Sequence, residues 1–122
     1  MARILVIDDD PAVRLSVQLV LEHDGHQVVC AADGEEGLLT FASMPPDLVV
    51  TDIIMPNIEG IETIMEIRKR DPKTPILAIS GGTRLSSIDF LRMAEMLGAN
   101  AILPKPFERQ DLIAAVRRLL PA

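Results

Sequence analysis

Five short apolar runs recur along the chain, and each is followed by a longer stretch in which apolar residues return every three or four positions. A period that switches between strand-like runs and helical spacing is the mark of βα units. The central run is Asp47-Leu-Val-Val-Thr51, preceded by Pro45-Pro46 and followed by Asp52-Ile-Ile-Met-Pro56. It reads as a strand buried on both faces, and Pro56 forces the chain out of it. Arg3 to Ile7 is an earlier strand, and Asp10-Pro11 then opens a helix as N-cap and first helical residue. Val13, Val17, Val20 and Leu21 recur on that helix, and Gly25 closes it. Gln27 to Ala31 is the second strand, Asp33-Gly34 a turn, and Glu35 to Ser43 the second helix. Ile58, Ile61, Ile64, Met65 and Ile67 mark the third helix, which ends before Pro72. Pro75 to Ile79 is the fourth strand, and Ile88 to Leu97 a helix stopped by Gly98. Asn100 to Leu103 is a short fifth strand, and Glu108 to Leu120 the last helix. Strict βα alternation implies an α/β fold, a parallel sheet with right-handed crossovers and helices on both faces.

Composition narrows the class. The chain has 122 residues, enough for one domain with a real core, and no linker or low-complexity tract divides it. No apolar run approaches the roughly 20 residues of a membrane span. The N-terminus enters a strand at once, without a signal-peptide pattern. The single Cys30 cannot form an internal disulfide, so a reducing cytoplasmic setting is expected, with Cys30 a buried, inert thiol. Net charge is −6 and no Lys/Arg run is present, which argues against direct nucleic-acid binding. The three aromatics are Phe41, Phe90 and Phe107, a poor supply for stacking a flavin or bases.

The strand ends carry the chemistry. The first strand runs into Asp8-Asp9-Asp10, the third into Asp52, the fourth into Ser80-Gly81-Gly82, and the fifth into Pro104-Lys105-Pro106. In a parallel sheet these tips share one edge, where ligands bind in open α/β folds. Two carboxylates about 4 Å apart repel by about 4 kcal/mol at an effective dielectric near 20. Asp8, Asp9 and Asp52 therefore need a cation beside them. Lys105 is one candidate and Mg2+, which favours oxygen ligands, is another. Acids, a hydroxyl and a lysine together can handle a phosphoryl group, with a carboxylate able to accept it covalently.

These same segments resemble the receiver domains of response regulators in two-component signalling. The resemblance rests on Ile4-Leu-Val-Ile-Asp-Asp-Asp10, on Asp47 to Pro56 with Gly60, on Ile79-Ser80-Gly81, and on Gly98-Ala99 to Leu103-Pro-Lys-Pro-Phe107. It covers the whole length, residues 1–122, as one receiver domain. It implies a flavodoxin-like, three-layer fold with strand order 2-1-3-4-5 and five helices. It implies that Asp52 accepts a phosphoryl group from a histidine kinase or a histidine phosphotransfer protein. Mg2+ would be held by Asp9, Asp52 and the backbone carbonyl of Ile54, with Asp8 acting through water. Ser80 and Lys105 would assist, and the Lys105-Pro106 bond would be cis. Such a domain catalyses its own phosphorylation and dephosphorylation without being a turnover enzyme. It would be cytoplasmic, a monomer or weak dimer, bound neither to membrane nor to nucleic acid.

Other residues have plainer readings. Asp10 is a helix cap, His23 and His26 are surface residues at a helix end, and Met93 and Met96 fill core. The position where many receivers carry a switching aromatic is Ile102, and the usual water-orienting positions are Ile54 and Gly82. Three rival functions stand beside this reading: a receiver-like interaction module without phosphotransfer, a metal-dependent phosphohydrolase, and a flavodoxin-type cofactor carrier, which the acids after the first strand and the few aromatics disfavour. Haloacid-dehalogenase-like phosphatases place a second acid two residues after the nucleophile, where this chain has Ile54.

Overall fold

The computed structural model describes residues 2–53, 59–80 and 92–120. Five parallel strands form one sheet in the order β2-β1-β3-β4-β5. They are β1 (Arg3–Ile7), β2 (Gln27–Ala31), β3 (Leu48–Asp52), β4 (Ile76–Ser80) and β5 (Ala101–Pro104). The helices are α1 (Pro11–His23), α2 (Gly34–Ser43), α3 (Glu59–Arg70), the helical residues 92–97 (α4) and α5 (Arg109–Leu119). The alternation read from the sequence is thus the alternation of the fold, a three-layer α/β sandwich.

Successive strand residues point to opposite faces, so each central strand feeds two cores. Leu5, Ile7, Val49, Ile76 and Ala78 pack with Phe41 of α2, with Ile61, Ile64 and Ile67 of α3, and with Ala94 of α4. Ile4, Val6, Leu48, Val50, Leu77 and Ile79 pack on the other face with Val17 and Leu21 of α1 and with Leu112, Ala115 and Val116 of α5. Every residue of β3 and β4 is buried. This explains why those runs lack the polar alternation of a half-exposed strand.

Strand ends shift by one residue from the sequence reading. Asp47 lies before β3, with its Oδ2 accepting the Arg3 N–H at 2.8 Å and its own N–H bonded to the Arg3 carbonyl at 2.7 Å. At the far end Asp52 still pairs with Ile79, and Ser80 with Pro104. Asp52 and Ser80 are therefore the last residues of their strands and inherit the rigidity of the ladder. Asp10 caps α1 as expected, its Oδ1 accepting from Ala12 N at 2.9 Å. Gly25 sits at φ 94°, which closes α1 in a conformation open to glycine.

Three plain readings need correcting. Met93 and Met96 are 45% and 87% exposed and fill no core. Helix α4 turns Ala94 inward, and residues one before and two after it fall on the outer stripe. His26 is not a surface residue. Its side chain is 10% exposed, with Nδ1 accepting from the Ala2 N–H at 3.3 Å and Nε2 lying 3.6 Å from Asp24 Oδ2. Its ring folds back over the start of β1, a contact between residues 24 apart that periodicity cannot reveal. Cys30 is half-buried rather than enclosed, with its Sγ 3.5 Å from Gln18 Oε1, and partial burial raises the thiol pKa.

Candidate functional site

The register of the sheet brings the acids together. β1 pairs with β3 so that Ile7 stands opposite Thr51, and the next residues along the two strands are Asp8 and Asp52. β1 and β3 are also where the strand order reverses, the point at which parallel α/β sheets open a crevice. Carboxylate oxygens of Asp8, Asp9 and Asp52 all lie within 4.8 Å of one another. Asp8 is fully buried, Asp52 is 5% exposed, and Asp9 is open to solvent.

Lysine 105 answers two of the three acids. Its Nζ is 3.3 Å from Asp52 Oδ2 and 3.5 Å from Asp8 Oδ2. It stands after β5, and its backbone N–H donates to the Ser80 carbonyl at 2.7 Å. The Lys105-Pro106 peptide is cis, as expected. Ser80 is fully buried at the end of β4, one residue beyond the partner of Asp52. The structure thus gathers Asp8, Asp9, Asp52 and Lys105 at one edge, with Ser80 closing the same edge. Ile54 and Gly82 lie outside the described residues, so the Ile54 carbonyl is not located here.

Electrostatics single out Asp8. Its pKa is pushed up from 3.8 to about 6, chiefly because burial disfavours the charged form. The Asp10 N–H, donating to Asp8 Oδ1 at 2.9 Å, pulls the other way. Asp52 raises it further, Lys105 lowers it, and Asp9 adds a smaller push upward. One ammonium therefore does not balance three carboxylates. The donor set is all oxygen, it carries excess negative charge, and one side is open to water through Asp9. That combination fits a hard divalent cation such as Mg2+, which keeps part of its water shell.

Gly60 lets the start of α3 lie against the end of β3. A Cβ at this position would run into the Asp52 carbonyl and the Ile53 backbone. The start of α3 can therefore lie directly against the end of β3 only where a side chain is missing. Ile102 is half-buried against the α3 side of the sheet, an aliphatic residue with no ring to swing. Arg14 was not legible as part of the site, because its role depends on a side chain folding back over its own helix. Its Nη1 donates to the Asp8 carbonyl at 2.7 Å.

A model of the response regulator receiver domain matches residues 4–117. The chain belongs to the response-regulator receiver family. Among curated relatives, the response regulator MprA of Mycolicibacterium vanbaalenii is 41% identical over 119 residues, which are 97% of this chain and 50% of that protein. This receiver domain thus spans about half the length of the curated relatives it matches. Among solved structures, the receiver domain of NtrX from Brucella abortus superposes with a TM-score of 0.89 at 32% identity, covering 96% of this chain and 97% of that one. The chemotaxis protein CheY4 of Vibrio cholerae superposes with a TM-score of 0.87 at 30% identity, covering 98% and 99%. The fold and the two-component class expected from the sequence both stand. Among the described residues no helix is long and apolar enough to cross a membrane.

Proposed function

We propose that residues 1–122 work as one receiver unit that takes a phosphoryl group from a phosphohistidine onto Asp52. The observation that carries this reading is the Lys105 ammonium held between Asp52 and Asp8, 3.3 and 3.5 Å away, at the switch point of the sheet. An Asp52 oxygen attacks phosphorus, the N–P bond breaks, and the imidazole leaves with the electron pair. The product is an acyl phosphate on Asp52. Lys105 is placed to take the charge of a phosphoryl oxygen, and the Ser80 hydroxyl can donate to another. Asp8, Asp9, Asp52 and, in this reading, the Ile54 carbonyl would hold Mg2+, which offsets the negative charge of the incoming group. The single Lys105 ammonium leaves the charge of three carboxylates only partly answered. The domain thereby catalyses its own modification, without turnover of an external substrate.

The donor is a histidine kinase or a histidine phosphotransfer protein. Leu15 and Leu19 are 54% and 56% exposed on α1, beside a cavity of about 500 Å³ between α1 and the turn after β5. Val13, Val17 and Phe107 line it, and Lys105 stands at its edge. An apolar face next to the phosphoryl site suits a helical donor protein. Phosphorylation then changes which partner the receiver binds, in a reducing cytoplasmic compartment.

The test is Mg2+-dependent labelling with a small phosphodonor, read by intact mass. The wild type is expected to gain one labile phosphoryl group and Asp52→Asn none. Labelling of Asp52→Asn would refute the assignment. An unlabelled wild type would favour an interaction module that no longer takes phosphate. Turnover of a chromogenic phosphate ester would favour a phosphohydrolase.

A further inference from the structure

Asp9 is the exposed member of the acid cluster, and no burial holds its side chain in place. Its position must come from the backbone on either side. The peptide that follows Asp9 is pinned by the Asp10 N–H, which donates to Asp8 Oδ1 at 2.9 Å. The peptide that precedes it carries the Asp8 carbonyl, and Arg14 Nη1 donates to that oxygen at 2.7 Å. Asp8 itself is anchored to β2 through its N–H on the Ala31 carbonyl at 3.1 Å. Both peptide planes flanking Asp9 are therefore fixed by one hydrogen bond each.

Arg14 can do this because of where it sits. It lies in the first turn of α1, with its N–H on the Asp10 carbonyl at 2.9 Å. Side chains on a helix lean toward its N-terminus, so the guanidinium reaches back over the β1–α1 connection. Arg14 is half-buried, which fits a side chain laid along the protein rather than extended into water. A charge-assisted hydrogen bond of this length is among the stronger kinds.

We propose that Arg14 is a positioning residue for the Mg2+ site, holding the Asp8–Asp9 peptide so that the Asp9 carboxylate points into the acid cluster. This inference rests on the metal-binding part of the proposed function. It also has a sign that separates it from plain electrostatics. A positive charge near a cation site weakens cation binding, so deleting it should tighten Mg2+ binding if charge were its only role. A positioning role requires the opposite.

The experiment measures Mg2+ affinity by calorimetry for wild type, Arg14→Met and Arg14→Lys. It is paired with amide hydrogen exchange in EDTA. Arg14→Met keeps the apolar stem and removes the donors. Its Mg2+ affinity is expected to fall about tenfold, equivalent to about 1.4 kcal/mol. The Asp10 amide should exchange faster in the metal-free variant. Arg14→Lys retains the charge and a shorter donor, and a loss of about threefold is expected. Unchanged or tighter Mg2+ binding in Arg14→Met overturns the proposal. If Arg14→Met does not fold, unchanged affinity in Arg14→Lys with unchanged Asp10 exchange overturns it. A wild type that binds no Mg2+ refutes the metal reading itself, an outcome distinct from a wild type that binds while the variants match it.

Discussion

Replacing Asp8 by Asn should stabilise the metal-free protein. Asp8 is fully buried, and its pKa is raised from 3.8 to about 6. That rise corresponds to roughly 3 kcal/mol spent on keeping this carboxylate ionised in the folded state. Between the two pKa values the folded protein binds more protons than the unfolded chain, so stability falls as pH rises through about 4 to 6 and stays low above that window. The amide of Asn mimics the neutral form and can still accept the Asp10 N–H through its oxygen. Lys105 keeps Asp52 as a partner at 3.3 Å. The attraction of Asp8 to Lys105 is already contained in that shift. We therefore expect a net stabilisation of about 1–3 kcal/mol at pH 8 in EDTA, a rise in Tm of roughly 4–12 °C for a domain of this size. The assay is thermal unfolding of both proteins from pH 4 to pH 8 in EDTA, repeated with excess Mg2+. The gap should be near zero at pH 4, open by pH 7, and shrink when Mg2+ stabilises the wild type through binding to the folded state. A variant less stable than wild type at pH 8, or a gap that ignores pH, would refute the claim that Asp8 is held ionised at a cost.

Three further outcomes are expected. Gly60→Ala drives a methyl group into the Asp52 and Ile53 backbone, so it should cost roughly 1–3 kcal/mol and slow labelling, whereas an unchanged Tm would show that α3 can shift freely. Leu15→Ala with Leu19→Ala should slow transfer from a histidine kinase while leaving small-donor labelling intact, and equal loss in both assays would count against a docking face. The acyl phosphate should be long-lived, because Ile54 and Gly82 offer no side chain to orient an attacking water; Ile54→Asn with Gly82→Glu should speed decay about tenfold, a barrier change of about 1.4 kcal/mol, and no acceleration would sink the idea.

The order of the elements was legible in the sequence because local rules govern it. Asp10-Pro11 starts α1 by satisfying its own backbone donors, Gly25 ends it, and a short apolar run such as Leu48 to Val50, bounded by prolines and rich in valine, reads as a buried strand. The strand tips were legible too, since Asp8, Asp52, Ser80 and Lys105 each follow or end such a run. Strand ends were off by one at Asp47 and Asp52 because ladder pairing, which begins at Leu48 opposite Ile4 and runs to Asp52 opposite Ile79, decides where a strand starts and stops.

Tertiary structure alone decided the distances and the exposure. Parallel pairing of β1 with β3 sets Asp8 beside Asp52, and the turn after β5 delivers Lys105 to both. Met93 and Met96 are exposed because α4 rotates Ala94 toward the sheet, and a short helical stretch does not reveal which stripe will face inward. His26 folds onto the start of β1 through a contact set by packing rather than by its neighbours in sequence. The same reason hides Arg14: its spacing from Asp10 is visible, but the hydrogen bond to the Asp8 carbonyl exists only once α1 is laid against the end of β1. Periodicity and caps are short-range properties carried by the chain itself, whereas register, rotation about a helix axis and the reach of a side chain are settled by which surfaces meet.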